Sequence, residues 1–562
     1  MRTEHPGRPA SRALIGPIDI LRRWDAGRNA RTGRRRTVTG PADVMRRRAL
    51  LPLMLAGALA WSCVVDAPYA HAASVHGDSA PSASVHASSV HTSPVDGPVD
   101  VVVGRQTVSQ PAPAGFVGLA TEFWDVESET GTNPAAPDTP FEQALRNLSP
   151  DGGIVLRIGG DSTDWSWWPI AGMTQPVWVR FTITPTWLAV TQKLAEDLQA
   201  HLILGINMEA NSTAIAQAEE KAMQAGIGPS VPITFELGNE PIFYSKWPFY
   251  HTPKGRPVTG RPKSYSWADV TRQWHALAAS LGPVSLAGPG FPSWHALSAL
   301  APFLNANRNL HLVTLHTYAT RSPECHDGGT VPESALFTPA ALQNLGLAVS
   351  AWAAVAHHHR VALRVDEINA VTCGGLVPFS RSFGPSLWAL NILPLYMEAG
   401  VTGVNFESKP NTAQNLIQPS QTSTGAWQVA VQPEYYGMLA FAQVTPPGSR
   451  LLKISGTPDG LYAWAVRTPQ EQTHVVLTNV GAKATRFVIK AAGASGPTTV
   501  EALKAASGKT TATTGVTLGG QTISPTTGQL VGTPVLAGAK FRRSGYVVTV
   551  PGATAEIVSF KG

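Results

Sequence analysis

The segment Phe235-Glu236-Leu237-Gly238-Asn239-Glu240-Pro241 reads as the end of a buried β-strand that carries an Asn-Glu pair to its rim. Leu237 and Gly238 bring the backbone in tightly, Asn239 offers an amide, and Pro241 stops the strand. Working outward, seven more apolar runs have strand character: Val117 to Trp124, Ile154 to Gly160, His201 to Met208, Ser285 to Gly290, His311 to Tyr318, Val361 to Glu367 and Gly403 to Glu407. Helical apolar spacing falls between most of them, over Trp187 to Ala200, Thr213 to Ala225, Ser266 to Leu281, Pro339 to His358 and Glu434 to Gln443. The helix after the fourth strand opens on a capping-box pattern, Ser266 with Asp269, and has Gly282 beyond its end. Eight strand–helix alternations predict a (β/α)8 TIM barrel, because parallel strands need crossover helices and eight of them close the sheet.

Barrel enzymes carry their chemistry at the C-terminal strand ends. Strand four ends at Glu240 and strand seven, Val361-Ala362-Leu363-Arg364-Val365-Asp366-Glu367-Ile368-Asn369, ends in a second acid, Glu367. Two carboxylates facing each other are the minimum equipment for cutting a glycosidic bond: one protonates the leaving oxygen while the other attacks or activates water. Glu122 on strand one, Asp161 just past strand two, Asn207 on strand three, His316 and Tyr318 on strand six and Glu407 on strand eight complete a polar ring around one mouth.

The chain has 562 residues, 43% apolar and 14% charged, which suits a large buried core. Its formal charge of +6 is misleading, because residues 1–72 hold 13 arginines against 5 acids and leave the rest near −2. Global charge therefore gives no case for a nucleic-acid partner. Arg46, Arg47 and Arg48 precede the apolar run Ala49 to Val65, and Ala70-His71-Ala72 supplies the small residues of a cleavage site, so residues 1–72 are expected to be an over-extended start (natural initiator Met45) and a secretory signal. Export is the expected localisation, secreted or periplasmic, with no stable membrane span after cleavage. The alternative, a retained anchor, has a short core broken by Pro52 and Gly57. Residues 73–97, with Ser-Val-His repeated, read as a disordered linker. In an exported protein Cys325 and Cys373 can form a disulfide; two free thiols are the alternative. Residues 98–113 are expected to supply strands to a C-terminal β-sandwich at 446–562, where short β-rich runs alternate with Gly, Thr and Pro turns, and 114–445 to form the barrel. A structural role for the sandwich and a carbohydrate-binding one both stand, although no stacked-aromatic pattern marks the second.

The chain resembles glycoside hydrolase family 79, the β-glucuronidase and heparanase-like family of the retaining barrel glycosidase clan. The motifs are Leu148-Ser149-Pro150 followed by Leu156-Arg157-Ile158-Gly159-Gly160-Asp161-Ser162-Thr163-Asp164, then Leu237-Gly238-Asn239-Glu240-Pro241, His316-Thr317-Tyr318, Asp366-Glu367-Ile368-Asn369 with Gly374-Gly375, and Pro433-Glu434-Tyr435-Tyr436. The resemblance implies that Glu240 is the general acid/base and Glu367 the nucleophile, that Asn239 bonds the sugar 2-hydroxyl, and that Tyr318 orients Glu367. It implies further sugar contacts for Glu122 and Asp161, and a uronate carboxylate held by the amides of Gly374 and Gly375, with Thr372 where family members often have tyrosine. The implied partner is a carbohydrate, a glucuronide or uronate-containing polysaccharide, and the implied chemistry needs no cofactor.

The loop 242–265 holds Lys246, Lys254, Arg256, Arg261 and Lys263 with no acid, interleaved with aromatics, and reads either as a grip on an anionic chain or as a solvated loop. His357-His358-His359-Arg360 suits a helix C-terminus, and no metal-ligand cluster is expected. Three readings follow: an exo-acting β-glucuronidase, an endo-acting enzyme of heparanase type, and a glycan-binding protein that keeps the barrel without turnover.

Overall fold

A computed structural model describes residues 97–322, 332–458, 461–491, 493–494, 496–542 and 545–562. The expected signal, the expected linker apart from Gly97, and Cys325 lie outside the described residues. Cys373 is disulfide-bonded. No helix among the described residues is long and apolar enough to cross a membrane.

Eight parallel strands close into a barrel: β1 Val117–Glu122, β2 Val155–Gly159, β3 His201–Ile206, β4 Ile233–Leu237, β5 Leu286–Phe291, β6 Leu312–Thr320, β7 Ala362–Val371 and β8 Val404–Glu407, with β8 pairing β1. These are the eight apolar runs of the sequence. They read as continuous hydrophobic stretches because the barrel buries both faces of each strand. The helix Trp267–Ser280 starts at the expected capping box, with Ser266 and Asp269 bonding reciprocally.

Among the described residues, three helices of ten residues or more escape the periodicity argument. Thr139–Leu148 is short, and Leu297–Ala306 contains Pro302. Phe383–Ala399 contains Pro394 and is apolar on every side, so it shows no amphipathic stripe. The reason is its position: it packs on Gln343–His358 and Pro433–Val444 and on the sheet strands Arg450–Ser455 and Leu461–Arg467, leaving little of it to solvent.

Among the described residues, eleven further strands form one large, mostly antiparallel sheet, and the rest pair off in four two-stranded sheets. Val99–Thr107 is a single strand in it, lying parallel to Thr485–Ala491 and antiparallel to Arg450–Ser455. The sheet folds over itself. Val101, Val475, Leu477, Phe487, Ile489, Tyr546 and Val558 share one core between its halves, while Trp464, Val466, Val476 and Ile557 face the barrel core. Alternate residues of Gln472–Asn479 thus serve two cores, as the period of two requires. Polar contacts join sheet and barrel: Asn391 Nδ2 donates to Thr478 Oγ1 at 3.1 Å, and the Ile523 amide donates to the Tyr436 hydroxyl at 3.0 Å.

Glu434, at the start of the last barrel helix, is buried, and its Oε1 has no hydrogen-bond partner. Burial pushes its carboxyl up to about 8, from 4.5 in the unfolded chain. The folded state therefore holds a proton that the unfolded chain releases between these values, and stability falls as pH rises through that window. Glu434→Gln cannot ionise. Its unfolding free energy relative to wild type is expected to improve by about 3 kcal/mol between pH 5 and pH 8, read by urea titration. Parallel curves for the two proteins would show that Glu434 does not hold its proton.

Candidate active site

The site begins with an arginine in the barrel interior. Arg157, in mid-strand β2, is almost fully buried, and a Cβ at Gly159 would come within 3.0 Å of its Nε, so glycine there makes room for the guanidinium. Its Nε donates to Glu236 Oε2 at 2.9 Å and lies 3.4 Å from Asp366 Oδ2. Nη1 donates to Glu367 Oε2 at 2.6 Å, and Nη2 to Asn239 Oδ1 at 2.9 Å. A five-donor planar fork is suited to bridging several buried carboxylates at once.

Asp366 and Glu367 are adjacent on β7, yet both meet Arg157, which strict alternation forbids. The ladder explains this. Thr314 pairs with Arg364 and His316 with Glu367, so β7 advances three residues while β6 advances two, and the bulge turns consecutive side chains inward. β7 also runs beyond its expected end at Glu367, to Val371.

His316 joins the two acids. Its Nδ1 lies 2.9 Å from Glu240 Oε1 and 3.7 Å from Glu367 Oε2. Burial opposes charge on the ring, but Glu367 and Glu240 outweigh it and, with Asp366 acting against Arg157, push His316 up to about 10. Burial likewise opposes charge on Glu367, and there the nearby His316, Arg157 and Lys409, with the Tyr318 hydroxyl donating to Oε1 at 2.6 Å, hold it down to about 2. Tyr318 itself is pushed well above the ordinary phenol value by burial and by Glu367, so it stays a donor. Behind them, burial and the charge of Glu236 raise Asp366 well above the ordinary carboxylate value, while, against the cost of burial, Arg157 holds Glu236 below it.

Glu240 stands just past β4 in the left-handed region, φ 46°, at the entry of the turn Pro241–Ser245. A residue other than glycine is held there only when its surroundings over-determine it. Asp164 supplies much of that. Its Oδ1 accepts the amides of Met208 and Glu209, and its Oδ2 those of Asn239 and the Tyr244 hydroxyl, each at 2.8 to 3.0 Å. One buried carboxylate therefore pins the ends of β3 and β4 together. Gly238, φ 75°, lies so close to Tyr244 that a Cβ would be 2.3 Å from its hydroxyl.

The expected ring is assembled with corrections. Glu240, Glu367, His316, Tyr318 and Asn239 converge, and Asp161 stands exposed at the opening with Oδ1 3.3 Å from Asn239 Nδ2. Glu122 does not face the opening as a sugar ligand would. It is 1% exposed, its Oε2 accepts the amide and hydroxyl of Ser162, and its Oε1 lies 2.7 Å from Lys409 Nζ. Asn207 bonds the carbonyls of Asp164 and Ser166 and so shapes the loop. The Gly375 amide is turned away from an anion as well, donating to the Thr372 carbonyl at 3.1 Å, while Gly374 remains half-buried at φ 76°. Lys409 was not foreseen. It lies beyond β8, 24% exposed, with Nζ 3.3 Å from Glu407 Oε1. A lysine after a Phe-Glu-Ser run carries no pattern of its own.

Two triads, Glu236–His316–Asp366 and Glu240–His316–Glu367, have the donor types of a metal site, with one ligand atom of each residue within 4.8 Å of the others. Arg157 already places a guanidinium against Glu236, Asp366 and Glu367, which sets a fixed positive charge where a cation would go.

The sequence matches no family profile and no curated protein. Solved structures do match. A 4-O-α-L-rhamnosyl-β-D-glucuronidase from Fusarium oxysporum aligns with 82% of this chain and 99% of its own at 18% identity, TM-score 0.63. A family 51 arabinofuranosidase from Xanthomonas axonopodis pv. citri covers 83% of this chain and 100% of its own at 14% identity, TM-score 0.56. A family 51 α-L-arabinofuranosidase from Bifidobacterium longum covers 82% and 99% at 14% identity, TM-score 0.55. The chain has the fold of these proteins, a closed parallel barrel accompanied by a β-sandwich.

Proposed function

We propose that the chain is an exported glycoside hydrolase of the family 79 type that removes glucuronate from β-glucuronides with retention of configuration. The observation that carries this reading is the pairing of Glu240 and Glu367 on one imidazole, with an oxygen of one carboxylate within 4.8 Å of an oxygen of the other. That spacing suits direct attack, since retaining pairs stand about 5–5.5 Å apart whereas inverting pairs need roughly 6.5–9.5 Å to admit a water. Glu367, held ionised by Arg157 and Tyr318, attacks the anomeric carbon. Glu240 protonates the departing oxygen and then takes the proton of the incoming water. Asn239, its amide oriented by Arg157 and Asp161, meets the 2-hydroxyl.

The glucuronide assignment is supported by the family motifs, by the glucuronidase activity named for the Fusarium protein, and by Lys409 near Glu367 and Asp161 as a cation on the floor of the site. Export is supported by the basic and apolar pattern of residues 46–72. Proton NMR during cleavage of phenyl β-glucuronide is expected to show the β-anomer first, with phenyl β-glucoside turned over far more slowly. An α-anomer appearing first would overturn the retaining mechanism, and equal rates on the two sugars would overturn the uronate assignment.

A further inference from the structure

A cavity of about 240 Å³ opens beside Glu240, and Glu240 lines it while Glu367 does not. In a double displacement the general acid stands against the leaving oxygen, so the side of the cut reached through Glu240 is the leaving-group side. We infer that this cavity is the leaving-group subsite and that it takes one flat ring, an aryl group or the apolar face of a pyranose, and not an extended polyanion. The inference rests on the proposed glycosidase reading and specifies the substrate on the far side of the bond.

Aromatic rings form its wall. Phe243 and Trp247 pack with centroids 4.3 Å apart, and Trp247 is 40% exposed. Trp165 lines the cavity too, held by its Nε1 donating to the Phe249 carbonyl at 2.9 Å and covered by the Arg180 guanidinium 3.6 Å from its ring centre. Fixed aromatic surfaces of this kind favour stacking against a planar or apolar face. Pockets for drug-sized ligands run from about 300 to 1,000 Å³, so the space accommodates one ring and not a chain.

The cations that suggested a grip on an anionic polymer do not converge here. Arg261 is buried, donating to the carbonyls of Met208 and Glu209 at 2.8 Å, and serves the fold of the loop. The Lys246 ammonium lies 4.9 Å from the Phe243 ring centre. Lys254 and Arg256 are exposed between the paired strands Pro248–His251 and Pro257–Thr259, and neither lines the cavity. Of the groups that do line it, Arg180 and His251 stand against the carboxyls of Asp161, Asp164, Glu209 and Glu240.

The test compares phenyl and methyl β-glucuronide as substrates for the full chain; phenol is also the better leaving group, so the readout is the change that each variant makes in the preference and not its size in wild type. Trp247→Ala is expected to reduce the phenyl-over-methyl preference in kcat/KM about tenfold, Trp247→Phe to restore most of it, and the double variant Lys254→Ser/Arg256→Ser to retain it. The glycosyl-enzyme of Trp247→Ala is also expected to transfer less of its sugar to benzyl alcohol relative to water. An unchanged preference in Trp247→Ala overturns the subsite while leaving the glycosidase reading intact. So does a loss of preference in the Lys254/Arg256 variant as large as that in Trp247→Ala. If wild type cleaves neither glycoside, the glycosidase reading fails. The cavity is then judged by titrating phenyl β-glucuronide and phenyl β-glucoside against tryptophan fluorescence: a saturable quench lost in Trp247→Ala supports a ring-binding site, and no such loss overturns it.

Discussion

Glu367→Gln is expected to lower turnover of every β-glucuronide by at least about 10³-fold in protein that circular dichroism shows to be folded. The amide cannot attack, yet it keeps the volume of the side chain, and its one oxygen can accept from either Tyr318 or Arg157. Glu240→Ala is expected to behave differently. An activated aryl leaving group needs little protonation, so this variant still forms the glycosyl-enzyme. What it lacks is the base that activates water, and azide, which needs no base, should restore turnover and yield the β-glycosyl azide. Proton NMR of the products, which distinguishes the two anomers by the coupling of H1, checks this. Wild-type rates in both variants would remove the pair from the mechanism; an α-azide would exchange the roles of the two acids.

Arg157→Met is the second large effect. It removes the cation that touches Glu236, Asp366, Glu367 and Asn239 together. Deleting one partner from a buried ion cluster typically costs about 3–5 kcal/mol, because the remaining charge is left without compensation. Urea unfolding is expected to show a loss of that order. The same change takes away one of the charges that hold Glu367 down to about 2, so its pKa rises and the acid limb of the kcat/KM profile moves to higher pH. Arg157→Lys retains the charge without the fork and should fall between the two. Full stability together with an unmoved acid limb in Arg157→Met would mean that the arginine does not hold the site together.

The barrel was legible because each of its strands is a continuous apolar run, and Glu240, Glu367 and Tyr318 were legible because they stand at strand ends in recognisable words. Arg157 was not. Between Leu156 and Ile158 it looks like the solvent-facing member of an alternating strand, and nothing local reveals that four groups from other strands close around it. Asp366 was passed over for a related reason: its neighbour Glu367 took the inward position, and only the uneven pairing with β6 shows that both turn in. Glu122 was read as a sugar ligand from its place on a strand, which gives direction but not company; its company in the fold is Ser162 and Lys409. Asp164 was quoted within a motif, but its four partners come from residues 208 to 244 and exist only in the folded chain.

The strand Val99–Thr107 precedes the barrel, whereas both its partners, Arg450–Ser455 and Thr485–Ala491, follow it. During synthesis every barrel strand emerges from the ribosome before this one can pair, so for more than 300 residues its edges must wait. The entropy of closing so long a loop grows only logarithmically, at about 1.5RT times the logarithm of its length, but contacts this distant in sequence are slow to find. The barrel can thus gather its own core early, while the clasp that joins the two ends of the described fold locks late.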